Sequence, residues 1–257
     1  TRAKQFLANN AMKILKMIQA LLEAKGDGEI DATEDGPATL EVLGKSRIEG
    51  DDDQNRDVAR ECNKLSRKYA RAAARQLGVA NIVRRANITM SGIARNAIEL
   101  AETTFGDGKS DCKFPSGFTL PNRNSSNTVT LSSVAYEKNP VGETNAPAGT
   151  SIVGSVTDFH VQVDDEDEPV SGISPPLELS VTLTDAERAT KNATSTFHCR
   201  YYDESAKQWS TQGVNFKSYD SATGTVKFTS DHLSTFGTFA DNEATTPGTT
   251  DTPTPAP

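Results

Sequence analysis

The spacing of hydrophobic positions changes partway along the chain. Phe6, Leu7, Ile14, Leu15, Ile18, Leu21 and Leu22 recur at three- and four-residue intervals, which puts them on one face of a helix ending near Gly26. The stretch from Gly26 to Asp53 is rich in Gly, Asp and Glu with one short apolar patch (Leu40, Val42, Leu43), and it reads as a connection. A second helix is expected from about Asp52 to Leu77, where Arg, Ala, Lys and Leu dominate and no Gly or Pro intervenes. A third is expected over roughly Ile88–Thr103.

From residue 118 the period becomes two. In Leu177–Leu183 the residues Leu177, Leu179, Val181 and Leu183 point one way and Glu178, Ser180 and Thr182 the other, the signature of a half-buried strand. Val129/Leu131, Phe159/Val161/Val163, Phe197/Cys199/Tyr201 and Val226/Phe228 alternate in the same way, with turn-rich spacers such as Asp220–Gly224 between them. Short strands at this spacing indicate an antiparallel β-sandwich. The fold class expected is therefore α+β: a helical subdomain over residues 1–105, a β-sandwich over 106–240, and a Thr/Pro-rich stalk or linker over 241–257 that has almost nothing apolar to bury.

Charge follows the same division. Residues 1–105 hold 17 basic and 15 acidic side chains, and residues 106–257 hold 10 and 20, within a total of -8. An acidic chain argues against a generic nucleic-acid or anionic-membrane binder. No apolar run reaches the length of a membrane span, and Thr1 opens no leader-like segment, so the chain reads as a soluble excerpt of a larger protein.

Most chemically suggestive features have a plain structural reading. The basic stripe Arg56, Arg60, Lys64, Lys68, Arg71 and Arg75 is interleaved with Asp57 and Glu61, as on a solvated helix face. Asp164–Glu168 is acidic but lacks the alternating ligands and central Gly of a calcium loop, and reads as a turn ending at Pro169. Three Asn-X-Ser/Thr sequons occur, at Asn87, Asn124 and Asn192; with 15 Asn and 50 Ser+Thr, chance alone gives about three. Cys62, Cys112 and Cys199 allow at most one internal disulfide. His160, His198 and His232 are scattered, and no CxxC, HExxH, phosphate loop or GxSxG is present, so no metal and no cofactor is implied.

The most informative segments are Cys199-Arg-Tyr-Tyr-Asp203, Trp209-Ser-Thr-Gln-Gly213 and Asp231-His-Leu-Ser-Thr-Phe236. Their order and spacing resemble the proteolysis-site (GPS) motif that closes the GAIN domain of adhesion-type G-protein-coupled receptors and polycystin-like proteins. The resemblance covers Cys199–Ala240 well and extends loosely upstream, through Phe118–Pro121, Val129–Tyr136 with Asn139-Pro140, and Leu177–Leu183. The family usually has four cysteines here, and this chain keeps only Cys199: Val214 follows the Gly, and Phe228 and Ser230 replace the Cys-X-Cys before His232. Cys199 is then expected buried and free, with Cys62 the remaining candidate partner for Cys112. Val214 and Phe228 can replace part of the lost bracing by packing.

The resemblance implies an extracellular module of a cell-surface protein that cleaves itself between Leu233 and Ser234. His232 would take the hydroxyl proton of Ser234, a role that suits an imidazole near neutral pH. Attack on the Leu233 carbonyl would turn the amide into an ester that water hydrolyses, in a single turnover with no external substrate. Cys199, Trp209, Gly213, Phe236 and Phe239 would be the structural residues of the motif, Phe236 and Phe239 anchoring the final strand. The partners implied are that C-terminal strand, the rest of a larger surface protein and an extracellular protein ligand, with no nucleic acid and no membrane insertion. The rival reading is an uncleaved spacer of a surface glycoprotein. A carbohydrate-binding sandwich is a third, weakened by the 6% aromatic content.

Overall fold

The computed structural model describes residues 81–85, 88–141, 146–164 and 166–241, with eight isolated earlier positions, Lys13, Lys16, Met17, Ala20, Lys64, Leu65, Lys68 and Ala72. In chain order the elements are β1 (Asn81–Arg85), β2 (Ile88–Asn96), β3 (Thr104–Gly106), β4 (Ser110–Lys113), β5 (Thr128–Tyr136), β6 (Thr150–Val163), β7 (Glu166–Asp167), β8 (Leu177–Thr182), α1 (Asp185–Ala189), β9 (Phe197–Asp203), β10 (Gln208–Ser210), β11 (Val214–Asp220), β12 (Thr225–Ser230) and β13 (Thr235–Asp241). The larger sheet has the order β1-β2-β5-β6-β13-β9-β10, with the short β7 folded onto β6. The smaller has the order β11-β12-β8-β4-β3. Every pairing is antiparallel.

The alternation along β8 explains why the sheets stack. Leu177, Leu179 and Val181 are buried while Glu178, Ser180 and Thr182 are only half-buried, so one face of the smaller sheet is apolar and must be covered. It meets Ile93, Leu131, Phe159, Val161 and Phe236 of the larger sheet, with Phe228, Val226 and Cys112 from its own side, in one continuous core. Phe105 lies edge-on to Phe159 at 5.5 Å and stacked on Phe114 at 5.7 Å, closing the core near β3. A second, smaller cluster, Val141, Val156, Tyr202, Trp209 and Phe239, lies apart from it.

The expected α+β class is corrected by this architecture. The helix expected over Ile88–Thr103 is the strand β2 followed by a turn, and β2 pairs with β5 from Ile88↔Tyr136 to Asn96↔Thr128. Ile88, Thr89 and Ile93 are β-branched and Gly92 is a weak helix former, so local preference already favours a strand. Ile88 and Met90 alternate with Thr89 and Ser91, but the alternation stops at Gly92 and Ile93, and all six residues are buried. Ile93, Ala97 and Leu100, all in the core, mimic helical spacing instead. The sandwich therefore starts at Asn81 rather than near residue 106, and α1, five residues long, is the one helix with defined ends among the described residues. The helices expected before residue 80, the connection at 26–53 and the Thr/Pro-rich segment after Asp241 lie outside the described residues, the eight isolated positions aside.

Candidate functional site

The segment Asp231–Ser234 joins β12 of the smaller sheet to β13 of the larger, so it crosses between layers rather than closing a hairpin. Its backbone is held from three directions. The Asp231 N–H donates to the Gly213 carbonyl at 3.1 Å, the Asp231 carbonyl accepts from Ile173 N at 2.9 Å, and Leu233 N donates to the Val170 carbonyl at 3.0 Å. The Ser234 carbonyl accepts from Phe159 N of β6 at 3.1 Å. Gly213 is required twice over: its φ is +74°, and a Cβ there would overlap the Asp231 carboxylate.

His232 Nδ1 lies 2.8 Å from Asp231 Oδ1. Against a carboxylate acceptor Nδ1 is the donor, so in the neutral ring Nε2 carries the lone pair. Nε2 is buried with no hydrogen-bond partner among the described residues. The ring packs edge-on against Tyr201 at 4.5 Å and tilted against Phe236 at 5.9 Å. Ser230 Oγ donates to the His232 carbonyl at 2.8 Å and accepts from its N–H at 3.2 Å, fixing the backbone on which the imidazole stands. The Ser234 hydroxyl donates to the Tyr202 carbonyl at 3.5 Å, the long limit of such a bond.

His232 and Ser234 thus flank the Leu233–Ser234 peptide without bonding each other. His232 and Leu233 border a cleft with Pro169, Gly172, Tyr201 and Gln212. Ser234 borders another, with Asp158, His160, Asp167 and Glu204. Leu233, Pro169 and Val170 border both clefts, and the Nε2 atom of His232 is buried rather than open to either. Val170 escapes sequence reasoning because it reaches the segment through loop packing, and nothing local to Tyr201, Tyr202 and Ser230 showed their contacts with it. Asp231, adjacent to His232 in the motif, carried the one local signal for an orienting carboxylate.

The motif's other residues gather around β13. The Trp209 ring covers Gly237, where a Cβ would come within 2.9 Å of it, and packs edge-on against Phe239 at 5.1 Å. Phe236 and Phe239 are 2% and 0% exposed, but they belong to different clusters, Phe236 to the main core and Phe239 to the smaller one. Cys199 is a free buried thiol paired in register with Thr238, and burial pushes its pKa up to about 12. Cys112 is also free and buried, its thiol pushed up by burial and by neighbouring Asp111; Cys62 lies outside the described residues. Cys199, Val214 and Phe228 share the main core, where apolar packing holds them.

Asn124 and Asn192 are exposed, and Asn87 lies outside the described residues, as does the basic stripe apart from Lys64 and Lys68. In the acidic run, Asp164 accepts from Asn127 Nδ2 at 2.6 Å and Thr128 N at 3.0 Å. These bonds, the Asn127 one foremost, hold its carboxyl below the usual range. Asp167 meets His160 at 2.8 Å and Glu168 meets Arg123 at 2.5 Å. These carboxylates are satisfied by protein donors around a tight turn.

No family model and no curated protein matches this chain. Among solved structures it is similar to the full extracellular region of zebrafish Gpr126/Adgrg6, at 10% identity and a TM-score of 0.57. The likeness covers 90% of this chain and 32% of that one, so the chain spans about a third of that extracellular region. At this identity the likeness is one of fold.

Proposed function

We propose that this chain is an extracellular module of a cell-surface protein, and that its task is to hold its own last strand in the middle of a sheet. The observation that carries this reading is the placement of β13. It lies between β6 and β9, and six of its seven residues are buried. Burying a Phe side chain contributes about 2–3 kcal/mol, and Phe236 and Phe239 add to a hydrogen-bond ladder on both edges. A polypeptide continuing past Asp241 would be anchored through this strand and would come free only when force or unfolding opens the sheet. The extracellular placement draws on the fold likeness to an extracellular region and on the motif at Cys199–Ala240.

A second reading, self-cleavage at Leu233–Ser234, is favoured by the Asp231–His232 pair and the unpartnered Nε2. Ser234 Oγ would attack the Leu233 carbonyl, His232 would carry the hydroxyl proton to the departing Ser234 amine, and water would hydrolyse the resulting ester. Since the hydroxyl rests on the Tyr202 carbonyl, it must first swing toward His232. Cleavage would leave the β13 contacts in place. Denaturing mass spectrometry of the purified chain tests this reading: two fragments split at 233/234, and one intact species for Ser234→Ala, support it, and an intact wild-type chain rules it out. The holding function is tested by opening the 231–234 segment, by self-cleavage or by an inserted protease site. Co-elution of the pieces on native gel filtration is expected, and free dissociation in plain buffer would overturn it.

A further inference from the structure

Asn124 and Asn192 head two exposed turns of the same construction. Asn124 Oδ1 accepts from the Ser126 N–H at 2.9 Å and the Ser126 hydroxyl at 2.5 Å. Asn192 Oδ1 accepts from the Thr194 N–H at 2.8 Å and the Thr194 hydroxyl at 2.6 Å. In each case the carboxamide oxygen takes both donors and Nδ2 has no partner among the described residues. We propose that Asn124 and Asn192 are acceptor sites for N-linked glycans.

The geometry suits the chemistry beyond the match of three letters. An amide nitrogen is a poor nucleophile because its lone pair is delocalised onto oxygen. Two donors fixed on Oδ1 stabilise the negative charge that gathers there as Nδ2 gives up a proton. The co-reactant is a lipid-pyrophosphate-linked oligosaccharide. The Nδ2–C1 bond forms at the anomeric carbon, the bond from that carbon to the pyrophosphate oxygen breaks, the lipid pyrophosphate leaves with the electron pair, and the amide proton passes to a base of the transferase. Side-chain exposure leaves room for the product, since Asn124–Ser126 and Asn192–Thr194 are all exposed.

The two sites sit at opposite ends of the larger sheet. Asn127, in the first turn, reaches Asp164 just past the end of β6. Lys191 Nζ, beside the second, reaches the Asp241 carbonyl at 3.4 Å, and Asp241 pairs with Thr150 at the start of β6. A glycan on Asn192 would stand beside the exit of β13. A built-in control exists at Asp203, whose Oδ1 accepts from the Ser205 N–H at 2.9 Å and hydroxyl at 2.6 Å: the turn is the same, but the residue has no amide nitrogen.

The proposal rests on the extracellular reading for its meeting with the transferase, so the test supplies that route. The full chain is secreted from a eukaryotic cell behind a fused signal, and the folded product is deglycosylated enzymatically in heavy-oxygen water and mapped by peptide mass spectrometry. Labelled Asp is expected at positions 124 and 192 on most molecules, lost at each with Ser126→Ala or Thr194→Ala, and gained at 203 with Asp203→Asn. Absence of label at either natural site in the secreted, folded chain overturns the proposal; that result comes from the unaltered chain and does not depend on the folding of any variant. Failure of the extracellular reading would show separately, as the native protein lacking glycan while the secreted one carries it.

Discussion

β11 and β13 are both seven-residue antiparallel strands with two aromatic residues three positions apart, Phe216 and Tyr219 in one and Phe236 and Phe239 in the other. Their environments differ completely. β13 has a neighbour on each side and both its faces are covered, so residues three apart point to opposite faces and each finds its own apolar cluster. β11 is an edge strand with a register shift between Phe216 and Ser218, which returns Tyr219 to the face of Phe216. There Phe216 stays 48% exposed. The same aromatic spacing anchors a strand in the middle of a sheet and leaves it loosely held at the edge. Position in the sheet, more than composition, decides what the sandwich holds.

The largest expected effect is on β13. Phe236→Ala or Phe239→Ala should each cost about 3–5 kcal/mol in chemical denaturation, as large-to-small changes at fully packed sites do. Next come two positions where side-chain volume cannot be added. Gly237→Val would drive its branches into the Trp209 ring, and Gly213→Ala would combine a left-handed φ with overlap of Asp231; each should cost about 1–3 kcal/mol. At the edge, Phe216→Ala should cost less than about 1 kcal/mol, and a loss matching that of Phe239→Ala would break the comparison.

The smallest effect concerns how β11 is tied down. Glu178 of β8 pairs with Lys217 of β11 and with Lys227 of β12. The Lys217 hydrogen bond, opposed by partial burial and helped by Lys227, holds the Glu178 carboxyl below its ordinary value of 4.5. A depressed carboxylate contributes stability above the unfolded-state pKa and loses it as pH falls through the lower folded pKa. Below pH 4.5, Glu178→Gln should therefore come to resemble the wild type in denaturation midpoint. At neutral pH the deficit should be within about 1 kcal/mol, as for an exposed ion pair.

β8 and β12 of the smaller sheet were legible in the sequence, as were β5, β6 and β9 of the larger, because apolar and polar residues alternate along each. Glu178, Ser180 and Thr182 mark the solvent side of β8, so alternation is visible. β2 was missed because Ile88-Thr-Met-Ser91 alternates for only four residues before Gly92 and Ile93, while Ile93, Ala97 and Leu100 imitate a helical stripe. The motif residues Trp209, Gly213, His232, Leu233 and Ser234 could be singled out from their order and spacing, without the packing of Trp209 or the left-handed φ of Gly213. The separation of His232 and Ser234 into two clefts could not. It follows from Val170, Phe159 and Tyr202, which reach the segment from loops and strands far away in sequence. The opposite facing of Phe236 and Phe239 follows from their odd spacing and the unbroken pairing of β13 with β9, the register shift against β6 leaving it unchanged.

Amide hydrogen exchange resolved along the chain tests the holding of β13 most directly. The amides of Gly237–Ala240 are expected in the slowest class, exchanging only through global unfolding, while those of Asn215–Ser218 exchange through local opening of the edge. Exchange of the β13 amides as fast as those of β11 would contradict the placement of β13 as the strand this module holds.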